Sequence, residues 1–170
     1  MIIVRELSSG IYFGEPRELT DTMAYDTDRY HKVEIERILH SAFKIAQGRD
    51  KKVTSVDKAN VLASSKLWRS TAEEVAKEYP DCQLEHQYVD SATMKLIQNP
   101  KAFDVIVTEN LFGVHFESMK LLYYQAHWVC CQVQVTAIAD LLCTNRSTVR
   151  LQISREKESQ IRLLQFYRRR

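Results

Sequence analysis

Arg5, Tyr12, Lys58 and Asp90 carry the side-chain types from which a site for an anionic hydroxy compound could be built. A guanidinium can hold a carboxylate through two parallel hydrogen bonds. A phenol and an amine can move protons, and a carboxylate can ligate a hard cation. Taken singly, each has a plainer reading. Tyr12 lies in an aromatic run between glycines and reads as a strand residue. Lys58 reads as a solvated lysine, although it follows a buried strand, where α/β sheets gather their sites. Asp90 reads as a helix N-cap before it reads as a metal ligand. Arg5 reads as a surface ion-pair partner.

The elements that must position these residues alternate in type. Ile2–Leu7 is apolar and β-branched, with Arg5 and Glu6 breaking the run, and predicts a strand. Gly10–Gly14 predicts a short aromatic strand. Glu15–Asp21 is turn-rich, and Met23–Tyr30 returns as a second strand, so the region predicts an extended hairpin arm. From Lys32 to Gln47 the apolar period becomes 3.6, with Ile35, Ile38, Leu39, Ala42, Ile45 and Ala46 on one face and Gly48 as the stop. Val53–Val56 predicts a strand. Ser65 predicts the cap of a helix carrying Leu67, Trp68, Ala72, Val75, Ala76 and Tyr79, which Pro80 ends. Leu84, His86 and Tyr88 alternate as a strand. Asp90 or Ser91 caps a helix through Ile97, and Phe103–Thr108 predicts a buried strand. This rhythm implies a layered α/β fold.

Composition narrows the function. A chain of 170 residues, 45% hydrophobic, can fill one core. Its net charge of +2 gives no argument for nucleic acid or an anionic membrane surface. No apolar run is long enough to span a bilayer and no signal segment opens the chain, so a soluble, cytoplasmic protein is expected. Cys82, Cys130, Cys131 and Cys143 lack zinc-ligand spacing and read as free thiols.

In order and spacing, the segments VRELSSGIYFGEPR, YDTDRYHKVEIERI, KVTSVDKANVL, SSKLWR, EYPD, YVDSATMKLI and FDVIVTENLFG resemble the 3-isopropylmalate dehydrogenases of the isocitrate/isopropylmalate dehydrogenase family. The resemblance covers nearly all of Ile2–Gly113, and GIYFG with VDKANVL at this separation makes it specific. Isocitrate and tartrate dehydrogenases are the nearest alternatives. Ser8-Ser9 departs from the family's usual Thr-Gly beside the site.

The resemblance implies a soluble homodimer that uses NAD and Mg²⁺ or Mn²⁺ to oxidise and decarboxylate a hydroxy dicarboxylate in leucine biosynthesis. Arg5 is then the substrate clamp and Asp90 a metal ligand. Lys58 is the base that helps take the hydroxyl proton, and Tyr12 the acid that returns a proton to the enol carbon. In the family, Lys58 and Asp90 serve the partner subunit's site. Residues 1–113 are expected to be part of the substrate-binding and dimerisation domain. On this resemblance Met1 falls inside the family sequence, and the family's opening segment is expected to be missing from this chain.

After Gly113 the resemblance stops. Val114 and Ser118 stand where the family has two metal-binding aspartates, and no cofactor-binding element is intact. All four glycines and three prolines lie at or before Gly113; average usage predicts about seven in residues 114–170. Back-translated from the third base of the Met119 codon, the segment to Trp128 reads EASILPGSL. Continuing to Arg170 recovers the family's HGSAPDI and NP elements. Residues 114–170 are therefore expected to be an out-of-frame tail of low order, and the chain to be inactive, at the limit a non-enzymatic gene remnant. A helix-turn-helix reading of Thr136–Ile153 rests on a weaker motif, with Cys143 at the turn. No nucleic-acid or membrane partner is expected.

Overall fold

The computed structural model describes residues 1–116 and the backbone of Cys131–Val135. The main sheet contains β1 (Ile2–Glu6), β4 (Lys52–Asp57), β5 (Gln83–Tyr88), β6 (Val105–Thr108) and β7 (Cys131–Val135), in the order β5-β4-β6-β1-β7. Every pairing in it is parallel, with Val4 opposite Val107 and Val53 opposite Val105. Parallel strands need crossover elements, which are supplied by α1 (Lys32–Gln47), α2 (Ala63–Ala76) and α3 (Val89–Gln98).

Alternation along the strands decides which face each helix covers. Val4, Val53, Val105 and Val107 pack with Ile35, Ile38, Leu39, Phe43, Trp68 and Val75 of α1 and α2. Ile3, Val56 and Ile106 point the other way, to Ala92 and Leu96 of α3 and to Phe112 and Phe116 of the helical turns at 110–116. Both faces are covered, which explains why these strands read as continuous apolar runs.

The α/β class and the helix over Lys32–Gln47 agree with the sequence expectation; other details differ. Gly10–Gly14 is a turn, not a strand, closed by the amides of Phe13 and Gly14 on the Gly10 carbonyl (3.1 and 2.9 Å). The hairpin is shorter and shifted: β2 (Glu18–Leu19) pairs antiparallel with β3 (Ala24–Tyr25). Thr20 hydroxyl and amide groups both bond the Met23 carbonyl and so close its turn. Ser65 does not cap α2. It lies inside the first turn, with Leu62 at the cap, and its hydroxyl is used elsewhere. The last α2 residue is Ala76, ahead of Pro80. Asp90 and Ser91 follow the Tyr88 cap of α3 and are not caps themselves.

β7 is an addition: Cys131–Val135 pairs along the whole of β1, where the sequence reading expected no element. Residues 117–130 and 136–170 lie outside the described residues, as therefore do Ser118, the helix-turn-helix segment and nearly all of the expected tail. Among the described residues, Cys82 is a free thiol and no helix is long and apolar enough to cross a membrane.

Candidate functional site

The four expected residues lie at or just beyond the carboxyl ends of the parallel strands, the edge where such sheets place ligands. Arg5 is the penultimate residue of β1 and Tyr12 lies in the loop after it; Lys58 follows β4 directly and Asp90 follows β5 by two residues.

Arg5 does not lie at the surface; it is 8% exposed. Its Nε donates to the Asn110 carbonyl (2.9 Å) and its Nη2 to Asn110 Oδ1 (2.8 Å). The stem lies against Gly113 so closely that a Cβ there would come within 2.3 Å of Arg5 Cδ. A glycine at 113 is what lets the arginine pass the helical turns.

The Tyr12 loop is tied to the same place. Asn110 Nδ2 donates to the Ser9 carbonyl (2.8 Å), and the Gly10 amide donates to the Arg29 carbonyl (3.1 Å). Gly10 has φ +92°, and a Cβ there would lie 2.3 Å from Tyr30 Oη, so both backbone and space require glycine. Arg17 holds the far side through the Tyr12 and Gly14 carbonyls (3.0 and 3.2 Å). The Tyr12 side chain is left 46% exposed. Ser8 makes its own joint: its amide and hydroxyl donate to Glu6 Oε1, and Arg37 donates to both Glu6 and Ser8. Burying Glu6 is tolerable because Arg37 and Ser8 satisfy it.

Lys58 and Asp90 form an ion pair between the ends of neighbouring strands β4 and β5. The Asp90 side chain is exposed and that of Lys58 mostly covered. The Lys58 amide donates to Ser65 Oγ (3.1 Å), and that hydroxyl donates to Glu109 Oε1 (2.5 Å). Thus two pairs form, Arg5 with the Tyr12 loop and Lys58 with Asp90. Strand β6 separates β1 from β4, so the pairs rise from strands about 10 Å apart, two spacings of a sheet.

Glu109 was missed by the sequence reading. It is buried at the end of β6, where its carboxyl accepts from the Ser65 hydroxyl, and burial pushes that carboxyl up to about 8, with Asp28 and Asp57 adding to the shift against the Ser65 bond. The available signal was its place, a carboxylate directly after a buried strand, the same argument that favoured Lys58. Asn110, also missed, sits beside it.

The described residues do not hold a divalent ion by themselves. Asp90 offers a carboxylate already paired with Lys58, Val114 offers no donor, and among the described residues no group of three or more His, Cys, Asp or Glu could hold a metal.

Comparison with known proteins agrees with the placement of the strands. Over 112 residues the chain is 65% identical to the 3-isopropylmalate dehydrogenase of Listeria innocua and 64% identical to that of Bacillus cereus. Each alignment covers 66% of this chain and 32% of the relative, so the chain spans about a third of the length of the curated relatives it matches. The crystal structure of isocitrate dehydrogenase from Methylococcus capsulatus matches with a TM-score of 0.60 and 38% identity, over 64% of this chain and 34% of that one. The family model for isocitrate/isopropylmalate dehydrogenase matches residues 1–115, more than half of the chain, and the chain belongs to that family.

Proposed function

We propose that residues 1–113 are part of the substrate-binding and dimerisation domain of an NAD-dependent oxidative decarboxylase acting on 3-isopropylmalate in leucine biosynthesis, and that this chain alone turns over negligibly. The observation that carries the reading is the gathering of Arg5, the Tyr12 loop, Lys58 and Asp90 at one edge of the sheet in a chain 65% identical to 3-isopropylmalate dehydrogenases. Isocitrate- or tartrate-type substrates are the alternative, and the lower identity of 38% to an isocitrate dehydrogenase weighs against the first.

In this reading Arg5 orients a substrate carboxylate, its planar group already fixed by Asn110. Lys58 takes the hydroxyl proton and Tyr12, exposed on its loop, delivers a proton to carbon. Because Lys58 and Asp90 stand apart from Arg5 within one chain, a cytoplasmic homodimer in which the two pairs face each other across subunits is part of the proposal. NAD and Mg²⁺ or Mn²⁺ would supply hydride acceptance and Lewis acidity, and no step here depends on them.

Two assays test this. The purified chain, given 3-isopropylmalate, NAD and Mn²⁺, should form no NADH above background, and clear turnover overturns the inactivity. Residues 1–113 grafted into the matching segment of the Listeria innocua enzyme should oxidise 3-isopropylmalate and lose that activity when Lys58→Ala is introduced. A graft that prefers isocitrate or tartrate overturns the substrate assignment.

A further inference from the structure

All four hydrogen-bonding groups of Asn110 are engaged, and all by segments of the Arg5–Tyr12 half-site or its support. The backbone amide donates to Tyr30 Oη (2.9 Å), the carbonyl accepts Arg5 Nε, Oδ1 accepts Arg5 Nη2, and Nδ2 donates to the Ser9 carbonyl. The residue is 2% exposed, so none of these bonds is exchanged for water without cost. The orientation of the amide is forced, because Arg5 can only donate and the Ser9 carbonyl can only accept.

Resting on the function proposed above, we infer that Asn110 is the positioning residue of this half-site: it sets the separation between the Arg5 guanidinium and the Tyr12 loop to suit a hydroxy dicarboxylate. The chemistry requires asparagine. One planar group must accept from a cation and donate to a carbonyl at once. Aspartate keeps the acceptor and loses the donor; alanine loses both. Position matters as well. Asn110 opens the helical turns at 110–116, whose first amides have no helical partner, and Tyr30 satisfies its amide while its side chain reaches outward. Gly113, one turn on, keeps the arginine stem against the same helix. Tyr30 in turn fills the space that Gly10 leaves open, so the loop is held from both sides.

The test uses the whole chain and needs no turnover. Amide hydrogen exchange is followed over Ser8–Gly14 and, as internal reference, over Lys52–Asp57, together with the guanidinium ¹⁵N resonances of Arg5. Asn110→Asp should speed exchange in Ser8–Gly14 about tenfold, the worth of one buried hydrogen bond, leave Lys52–Asp57 unchanged and keep the Arg5 resonances in place. Asn110→Ala should add a shift of the Arg5 resonances. If Asn110→Ala does not fold, Asn110→Asp alone decides. Unchanged exchange in Ser8–Gly14, an equal rise in both segments, or failure of both variants to fold overturns the inference, since Asn110 would then be inert or merely part of the core. The graft into the Listeria innocua enzyme separates the two claims. Oxidation of 3-isopropylmalate by the graft together with the selective exchange effect supports both; no oxidation alongside the selective exchange effect sinks the 3-isopropylmalate reading and leaves Asn110 as organiser of the loop.

Discussion

Two single residues set how Arg5 and Lys58 are held, and each makes a prediction. Gly113→Ala drives a methyl into the pinned stem of Arg5, whose Nε and Nη2 both stay on Asn110. The expected result is a loss of about 1–3 kcal/mol in denaturant unfolding, the usual cost of overpacking, with the Arg5 resonances displaced. A variant as stable as the parent with Arg5 unmoved would show that the stem has room. Glu109 gives a pH dependence. Its folded carboxyl titrates near 8, above the ordinary 4.5, so between these values the folded state holds the proton and the unfolded state does not. Stability from this group therefore falls as pH rises through that window, by at most about 1.4 kcal/mol per pH unit. Glu109→Gln should flatten the slope and be the more stable form at pH 8–9, provided the amide keeps an acceptor for Ser65. An unchanged pH profile would mean the carboxyl is ionised and compensated.

At the scale of elements, Trp68 and Arg69 do much to hold α2 to the sheet. Trp68 is fully buried, meets Tyr30 edge-on at 6.0 Å between centroids, and donates through Nε1 to Ser55 Oγ (3.0 Å). Arg69 closes both oxygens of buried Asp57 (3.0 and 2.8 Å) and lies over the Tyr88 ring at 4.8 Å. Removing the arginine strands a carboxylate inside, so Arg69→Ala is expected to cost about 3–5 kcal/mol. Asp57→Asn with Arg69→Ala should cost less than that single change. Chemical denaturation of the three variants checks the order, and a smaller loss for Arg69→Ala alone contradicts it. The existence of α1, α2 and α3 was legible in the sequence because their apolar residues repeat at helical period. Their starts were not. Ser65 and Asp90 looked like caps by residue type, but their side chains are engaged by Glu109 and Lys58, partners distant in sequence. The Gly10–Gly14 strand failed for a similar reason: the aromatic run suggested a strand, while φ +92° at Gly10 and the contact with Tyr30 impose a turn.

For the whole molecule, the composition of the chain makes a prediction about the gene. Our proposal that residues 114–170 are translated out of frame rests on the absence of glycine and proline there and on the family elements recovered one base away. Resequencing DNA and messenger across codons 113–118 should reveal one or two extra bases relative to the family frame. An intact frame in both gene and messenger would overturn it. Leu19, Met23 and Tyr25 of the hairpin, and Phe13 in the preceding loop, are exposed apolar side chains, and poor solubility of the isolated chain is expected.

By itself the sequence determined the α/β class and the principal helix α1, because apolar period is a local property that survives without a fold; the four chemistry-bearing positions it offered only through resemblance to a family, and they stand as part of the proposal. Only the tertiary structure decided the strand order that separates the two pairs, the burial of Arg5, the raised carboxyl of Glu109 and the fourfold engagement of Asn110. Each of these depends on groups far apart in the chain, such as residues 5 and 110, meeting where water has been excluded, and no pattern of neighbouring residues encodes such a meeting.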